Sequence, residues 1–160
     1  MKLELTLNGV PRTLEISPEA LLIDVLRDVA GCKSVKRGCE AGDCGACTVL
    51  VDGRPLASCM LLAGQVHGRS ITTVEGLGTP EKPHPLMTAL VEAGAVQCGF
   101  CIPGVILSAK AFLGENPSPT AEEVKAALDG HLCRCTGYVK QIEGVLAAAA
   151  ILRAQKGGAR

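Results

Sequence analysis

The chain has no tryptophan, one tyrosine and two phenylalanines in 160 residues. So few aromatics leave almost nothing on which a nucleobase can stack. Nor is there an excess of either charge: sixteen Lys and Arg balance sixteen Asp and Glu. Without a basic surplus to neutralise phosphates, a general nucleic-acid binder is not expected. No apolar run approaches the roughly 18 residues that span a bilayer. The start, Met1-Lys2-Leu3-Glu4-Leu5-Thr6, lacks a basic region followed by an apolar block. These absences predict a cytoplasmic protein without membrane insertion, whose partner is a small molecule or another protein. A hydrophobic fraction of 48% is enough for one ordinary domain or two small ones.

Cysteine is what the chain has in quantity, with nine. In a reducing cytosol clustered thiols serve metals or redox chemistry more than disulfides. Cys39, Cys44, Cys47 and Cys59 fall in the first half, and Cys98, Cys101, Cys133 and Cys135 in the second. Cys32 is left over. Four, four and one is the arithmetic of two metal sites.

The surrounding pattern divides at the same place. Leu3, Leu5 and Leu7 alternate with polar residues, Asn8-Gly9 supplies a hairpin turn, and Leu14 and Ile16 resume the alternation. Ser17-Pro18 reads as a helix cap, and Leu21, Leu22, Val25, Leu26 and Val29 recur at helical spacing up to Gly31. Thr48 to Val51, the Asp52-Gly53 turn and Ile71 to Val74 add strands. The fold class is therefore α+β, with a small sheet domain over residues 1–76 and an aperiodic Gly- and Pro-bearing linker over 77–84. Residues 85–160 turn helical. Helices are predicted over Leu86 to Ala93, over Pro103 to Leu113 with Gly114 as the stop, from the Thr120-Ala121-Glu122-Glu123 capping box to about Asp129, and from Val139 to Arg153. The apolar face Ile142, Val145, Leu146, Ala149 and Leu152 predicts a helical bundle.

Cys39-x4-Cys44-x2-Cys47, followed by Cys59 after eleven residues, has the spacing of a plant-type 2Fe-2S loop. Gly38, Gly42 and Gly45 let the backbone wrap closely and turn N–H groups toward sulfur. A zinc knuckle fits poorly, because zinc sites favour paired Cys-x2-4-Cys arms. The second set, Cys98-x2-Cys101 with Cys133-x-Cys135, is more ambiguous. Its spacing suits a 2Fe-2S cluster, a zinc site or, for Cys98 and Cys101 alone, a dithiol redox pair.

Three blocks resemble the signatures of a known family: Lys36 to Val49, Gln97 to Gly104 (Gln-Cys-Gly-Phe-Cys-Ile-Pro-Gly) and Leu132 to Tyr138 (Leu-Cys-Arg-Cys-Thr-Gly-Tyr). They are similar to the small iron-sulfur subunit of the molybdenum hydroxylases, the xanthine dehydrogenase, aldehyde oxidoreductase and carbon monoxide dehydrogenase family. The resemblance runs over nearly the whole chain. It implies a β-grasp ferredoxin-like domain and then a four-helix bundle, each with one 2Fe-2S cluster. It assigns Cys39, Cys44, Cys47 and Cys59 to the first cluster, nearer the FAD of a medium subunit. It assigns Cys98, Cys101, Cys133 and Cys135 to the second, nearer the molybdopterin cofactor of a large catalytic subunit. Gln97 matches the position that touches the pterin. A dimer of heterotrimers is the assembly it implies. Ile102 stands where the family commonly has Thr, which removes a hydroxyl but no ligand.

What is implied is an electron-transfer subunit, itself non-catalytic, of an oxidoreductase complex; a stand-alone two-cluster carrier and a zinc-stabilised interaction module are the rival readings. Cys32 reads as an inert thiol. His67, His84 and His131 read as solvent-facing loop residues, and Lys36 and Arg37 as part of a solvated loop. Arg134, between two ligands, is placed to offset cluster charge.

Overall fold

The computed structural model describes residues 1–157. Leu3, Leu5 and Leu7 are buried along one side of β1 (Lys2–Leu7) while their neighbours face outward, as a period of two requires. β1 pairs antiparallel with β2 (Val10–Glu15) through a turn in which Asn8 and Gly9 both have positive φ, 52° and 81°. That is the turn whose twist matches two antiparallel strands, and it explains the Asn-Gly pair. Asp52 and Gly53, at φ 49° and 82°, repeat the device between β3 (Thr48–Val51) and β4 (Arg54–Ala57). β5 (Ser70–Thr72) lies parallel to β1 and antiparallel to β3, so the sheet order is β2-β1-β5-β3-β4.

The helix after β2 differs from its prediction. Ser17-Pro18 does not cap it; residues 17–20 form a turn, and Leu21 stays extended in a β-bridge to Leu62. The Leu22 N–H donates to the Leu61 carbonyl, so the chain is pinned to a neighbouring segment until that residue. Only then does α1 (Leu22–Asp24) begin, and it widens at once into a π-helical turn over Val25–Val29. Leu22, Ile23, Val25 and Leu26 are nevertheless buried against the sheet, in a first core with Leu3, Val49 and Ile71. The last predicted strand also stops short, at Thr72, and a 3-10 turn follows over Val74–Gly76.

Four helices make up the rest: α2 (Pro85–Glu92), α3 (Ile102–Glu115), α4 (Ala121–Ala127) and α5 (Val139–Gly157). Thr120 and Glu123 form the reciprocal capping box that their spacing predicts. Gly114 does not end α3, which runs one residue further, to Glu115. α5 likewise continues past Arg153 to Gly157. Both extensions are solvent-facing last turns, where packing does not decide the end. A second core gathers Leu86, Leu90, Val105, Val124, Val145 and Ala149, with Val74 and Leu77 packed against it from the connecting segment. No helix of the described residues is long and apolar enough to cross a membrane.

α3 lies against β3. Val49 and Val51 enter the first core, and the alternate residues Thr48 and Leu50, also buried, face the side that α3 covers. The two halves therefore share a tight seam. A methyl group on Gly104 of α3 would sit 2.2 Å from the Gly45 carbonyl oxygen, and one on Gly45 would sit 2.3 Å from His131 Nδ1.

Candidate metal centres

The first cysteine set lies on a loop and on the element that returns to it. Cys39, Cys44 and Cys47 are delivered by the loop before β3. Cys59 arrives after β4, in a 3-10 turn over Ser58–Met60 that buries it at 5% exposure. The turn is tied down by Ser58, whose hydroxyl and N–H both donate to the Cys47 carbonyl, at 2.7 and 3.3 Å. N–H groups of Ala41, Asp43 and Cys44 point at Cys39 Sγ from 3.3, 3.3 and 3.4 Å. Two glycines explain the wrap. Gly42 has φ +84°, and Gly38 has no side chain because a methyl there would lie 2.7 Å from Cys44 Sγ.

The electrostatics follow from that geometry. The Ala41 and Cys44 N–H groups, with the Cys44 thiol, hold exposed Cys39 down at about 7. Burial and the Cys47 thiol push Cys59 up to about 11. Thus Cys39 meets Cys44 and Cys59 meets Cys47, with the Cys39 charge also felt at Cys59.

The second set sits where two segments of the helical half meet. Cys101 is the residue before the first turn of α3, with Cys98 exposed just upstream. Cys133 and Cys135 occupy the bend between α4 and α5, and the Cys133 N–H donates to the Tyr138 hydroxyl at 3.3 Å. Cys98 is held low by the N–H of Phe100 and then by the Cys135 thiol. Burial raises Cys101 to about 11, and the nearby Cys133 adds to it. Burial also pushes Cys133 up, but the Cys135 N–H, the Thr136 hydroxyl and the Gly137 N–H outweigh it and hold Cys133 at about 7. Cys98 and Cys135 influence one another, as do Cys101 and Cys133, and the Cys133 charge is also felt at Cys98 and Cys135.

The donor set fits 2Fe-2S clusters: eight soft sulfurs, backbone N–H groups aimed at one of them, and an exposed and a buried side to each group.

The comparisons agree. A family model described as 2Fe-2S iron-sulfur cluster binding domain matches residues 5–73, and another, a 2Fe-2S binding domain, matches residues 73–146. The nicotinate dehydrogenase small FeS subunit of Eubacterium barkeri is 51% identical over 138 residues, which is 86% of this chain and 88% of that one. This chain belongs to the small iron-sulfur subunits of the molybdenum hydroxylases. Among solved structures, quinoline 2-oxidoreductase from Pseudomonas putida 86 superposes with a TM-score of 0.92 at 44% identity, over 96% of each chain. The aldehyde oxidoreductase of Megalodesulfovibrio gigas is 46% identical over 155 residues, and there the matching part is 17% of a much longer chain. As a member of this family the subunit is a non-catalytic component of an oxidoreductase.

The site also holds residues that the sequence did not reveal. His131 is not solvent-facing: it is 7% exposed, with Nε2 2.7 Å from Ser108 Oγ, because the seam between Gly45 and Gly104 closes over it. His84 is half-buried, and its Nδ1 accepts from the Leu86 N–H to cap α2. His67 is exposed and accepts from the Glu4 N–H. Arg37 is not free in a solvated loop, since it pairs with Asp24 and Asp28 on and beside α1. The Leu132 N–H donates to the Cys44 carbonyl at 3.1 Å, which ties the segment before Cys133 to a residue of the first set. Gln141 is 1% exposed and directs its amide at Cys101. Gln97 is exposed beside Cys98, and Cys32 is buried in the first core, which also takes in Cys47 and Cys59.

Proposed function

We propose that this subunit relays electrons within its complex, with one 2Fe-2S cluster on Cys39, Cys44, Cys47 and Cys59 and a second on Cys98, Cys101, Cys133 and Cys135. The observation that carries the reading is that the cysteines gather at two places, Cys47 and Cys59 in the first core beside the Cys39 loop, and Cys101 and Cys133 at the second. A bound 2Fe-2S cluster supplies one-electron chemistry, at a potential set by hydrogen bonds to sulfur and by solvent exposure. The chain's own residues supply the rest. The Cys39 loop offers N–H groups to an anionic sulfur, burial of Cys47, Cys59 and Cys101 keeps water from the inner side of each site, and the seam fixes the two sites relative to one another.

The finer assignments belong to the same proposal. The sheet half is a β-grasp domain over residues 1–76, and α2 to α5 form a four-helix bundle over 85–160, with 77–84 as linker; residues 158–160 lie outside those described. Exposed Gln97 and Cys98 face a large subunit that carries molybdopterin. The exposed Cys39 side faces a medium subunit that carries FAD. The complex is a dimer of heterotrimers in the cytoplasm. The small-subunit status of the Eubacterium barkeri and Paenarthrobacter nicotinovorans relatives supports a fixed subunit over a diffusing carrier.

Iron and acid-labile sulfide analysis tests the ligand assignment. The anaerobically purified chain should contain about four of each, and Cys59→Ala or Cys101→Ala should remove one of two spectroscopically distinct reducible centres. A reproducible zinc-only preparation, or a single centre in fully loaded protein, would overturn it.

A further inference from the structure

Gln141 is the largest polar side chain among the nearly inaccessible residues, at 1% exposure. It lies in the first turn of α5, where the inward-facing positions Ile142, Val145 and Ala149 are apolar. A buried amide costs free energy unless its N–H groups find an acceptor. The acceptor here is sulfur: Nε2 lies 3.5 Å from Cys101 Sγ, and both residues are buried. Leucine or methionine would fill the same volume without that cost, so what the amide adds is a hydrogen bond to one cysteine.

We propose that Gln141 is a positioning residue that tunes the second centre through its N–H to Cys101 Sγ. The inference rests on the ligand assignment above and deepens it. Reduction adds negative charge that thiolate sulfur shares, and a donor aimed at that sulfur favours the more negative state. Gln141 therefore raises the potential of the second centre. Nothing comparable reaches the first centre from this residue, because its contact is with Cys101 alone among the cysteines. The amide also faces the buried side of its site, where water does not compete for the sulfur.

The test is a reductive titration of the full, cluster-loaded chain followed by electron paramagnetic resonance, which reads the two centres separately. Gln141→Leu and Gln141→Met both remove the donor and keep apolar bulk. Each should lower the midpoint of the second centre by about a tenfold change in its reduction equilibrium, about 59 mV for one electron. The first centre should not move. An unmoved second centre, equal shifts in both centres, or a shift in only one of the two variants overturns the proposal, the last because it would indicate packing rather than the donor. Wild-type chain without two reducible centres would overturn the ligand assignment and this inference together; two centres in wild type with an unmoved second one in the variants would overturn this inference alone.

Discussion

Gly104 gives the seam a quantitative test. Replacing it by alanine has two opposed effects. In a helix interior alanine is favoured over glycine by about 1 kcal/mol. Against that, the new methyl would sit 2.2 Å from the Gly45 carbonyl oxygen and 3.3 Å from His131 Cε1. Ordinary contact requires a retreat of about 1 Å, and neither side yields easily: one is helix backbone, the other the backbone of the first cysteine loop. Overpacking typically costs about 1–3 kcal/mol, and a backbone-to-backbone clash belongs at the upper end, so Gly104→Ala should destabilise by about 2 kcal/mol net. Gly114 is the control within the same helix. It has nothing within 4 Å of its built methyl, so Gly114→Ala should be neutral or stabilising by up to about 1 kcal/mol. Urea unfolding at matched iron content, with a slope of about 2 kcal/mol per molar, should separate the two variants by about 1 M. If both unfold at the same urea concentration, α3 is not seated on the Gly45 loop and the seam described above is wrong.

Cys32→Ala should leave the iron content unchanged and cost about 1 kcal/mol, because the thiol fills space in the first core and the polar groups around it are Thr73, Glu75 and Arg12; loss of iron would make it a ligand. Arg37→Ala removes a guanidinium shared by Asp24 and Asp28. All three side chains are about a third to a half exposed, so the loss should be about 0.5–1 kcal/mol and shrink in high salt. Glu75 bridges the segment between the two cores to the loop entering the first cysteine set. Burial pushes its pKa up, but the Ser34 and Thr73 hydroxyls and the Ser34 N–H outweigh it and leave it below the ordinary value. A lowered folded pKa means that its contribution is complete above the ordinary carboxylate range and disappears as pH falls through the folded value. Glu75→Gln should therefore cost about 1 kcal/mol of stability at pH 7 after allowing for solvent screening, read as a lower urea midpoint, and the gap to wild type should close on acidification. A gap that widens toward acid would refute the clasp.

Local chemistry made much of this fold readable. Asn8-Gly9 and Asp52-Gly53 announce their hairpins because few other pairs accept two consecutive positive φ angles, and both turns are found with them. Thr120 and Glu123 announce a helix start for an equally local reason. The cysteine spacing of the first loop constrains one short stretch of backbone, so the pattern of N–H groups around Cys39 was legible too. Long-range contacts were not. Ser17-Pro18 has the chemistry of a helix cap, yet the bridge from Leu21 to Leu62, forty-one positions away, delays the helix. His131 looks like a polar loop residue until Gly45 and Ser108, from the other half and from α3, close over it. Gln141 breaks an apolar face for a reason visible only once Cys101 is placed beside it.

These hidden residues have a common location, and it bears on why one chain should carry both sites. Ser108 and Gly104 on α3, Gly45 on the first loop and His131 before the last bend meet between the two cysteine groups, and the Leu132 N–H to Cys44 carbonyl bond runs beside them. Two independently folded domains joined by a linker would be free to vary that distance, and electron exchange between centres depends on it. Here glycine at two facing positions lets backbone meet backbone, which removes the slack that intervening side chains would leave. The end of the first half is held as well, by Val74 and the neighbouring Leu77 against the second core and by Glu75 on the loop of the first site. The seam therefore fixes the two cysteine groups relative to one another, and a substitution there should disturb both even though it removes no sulfur.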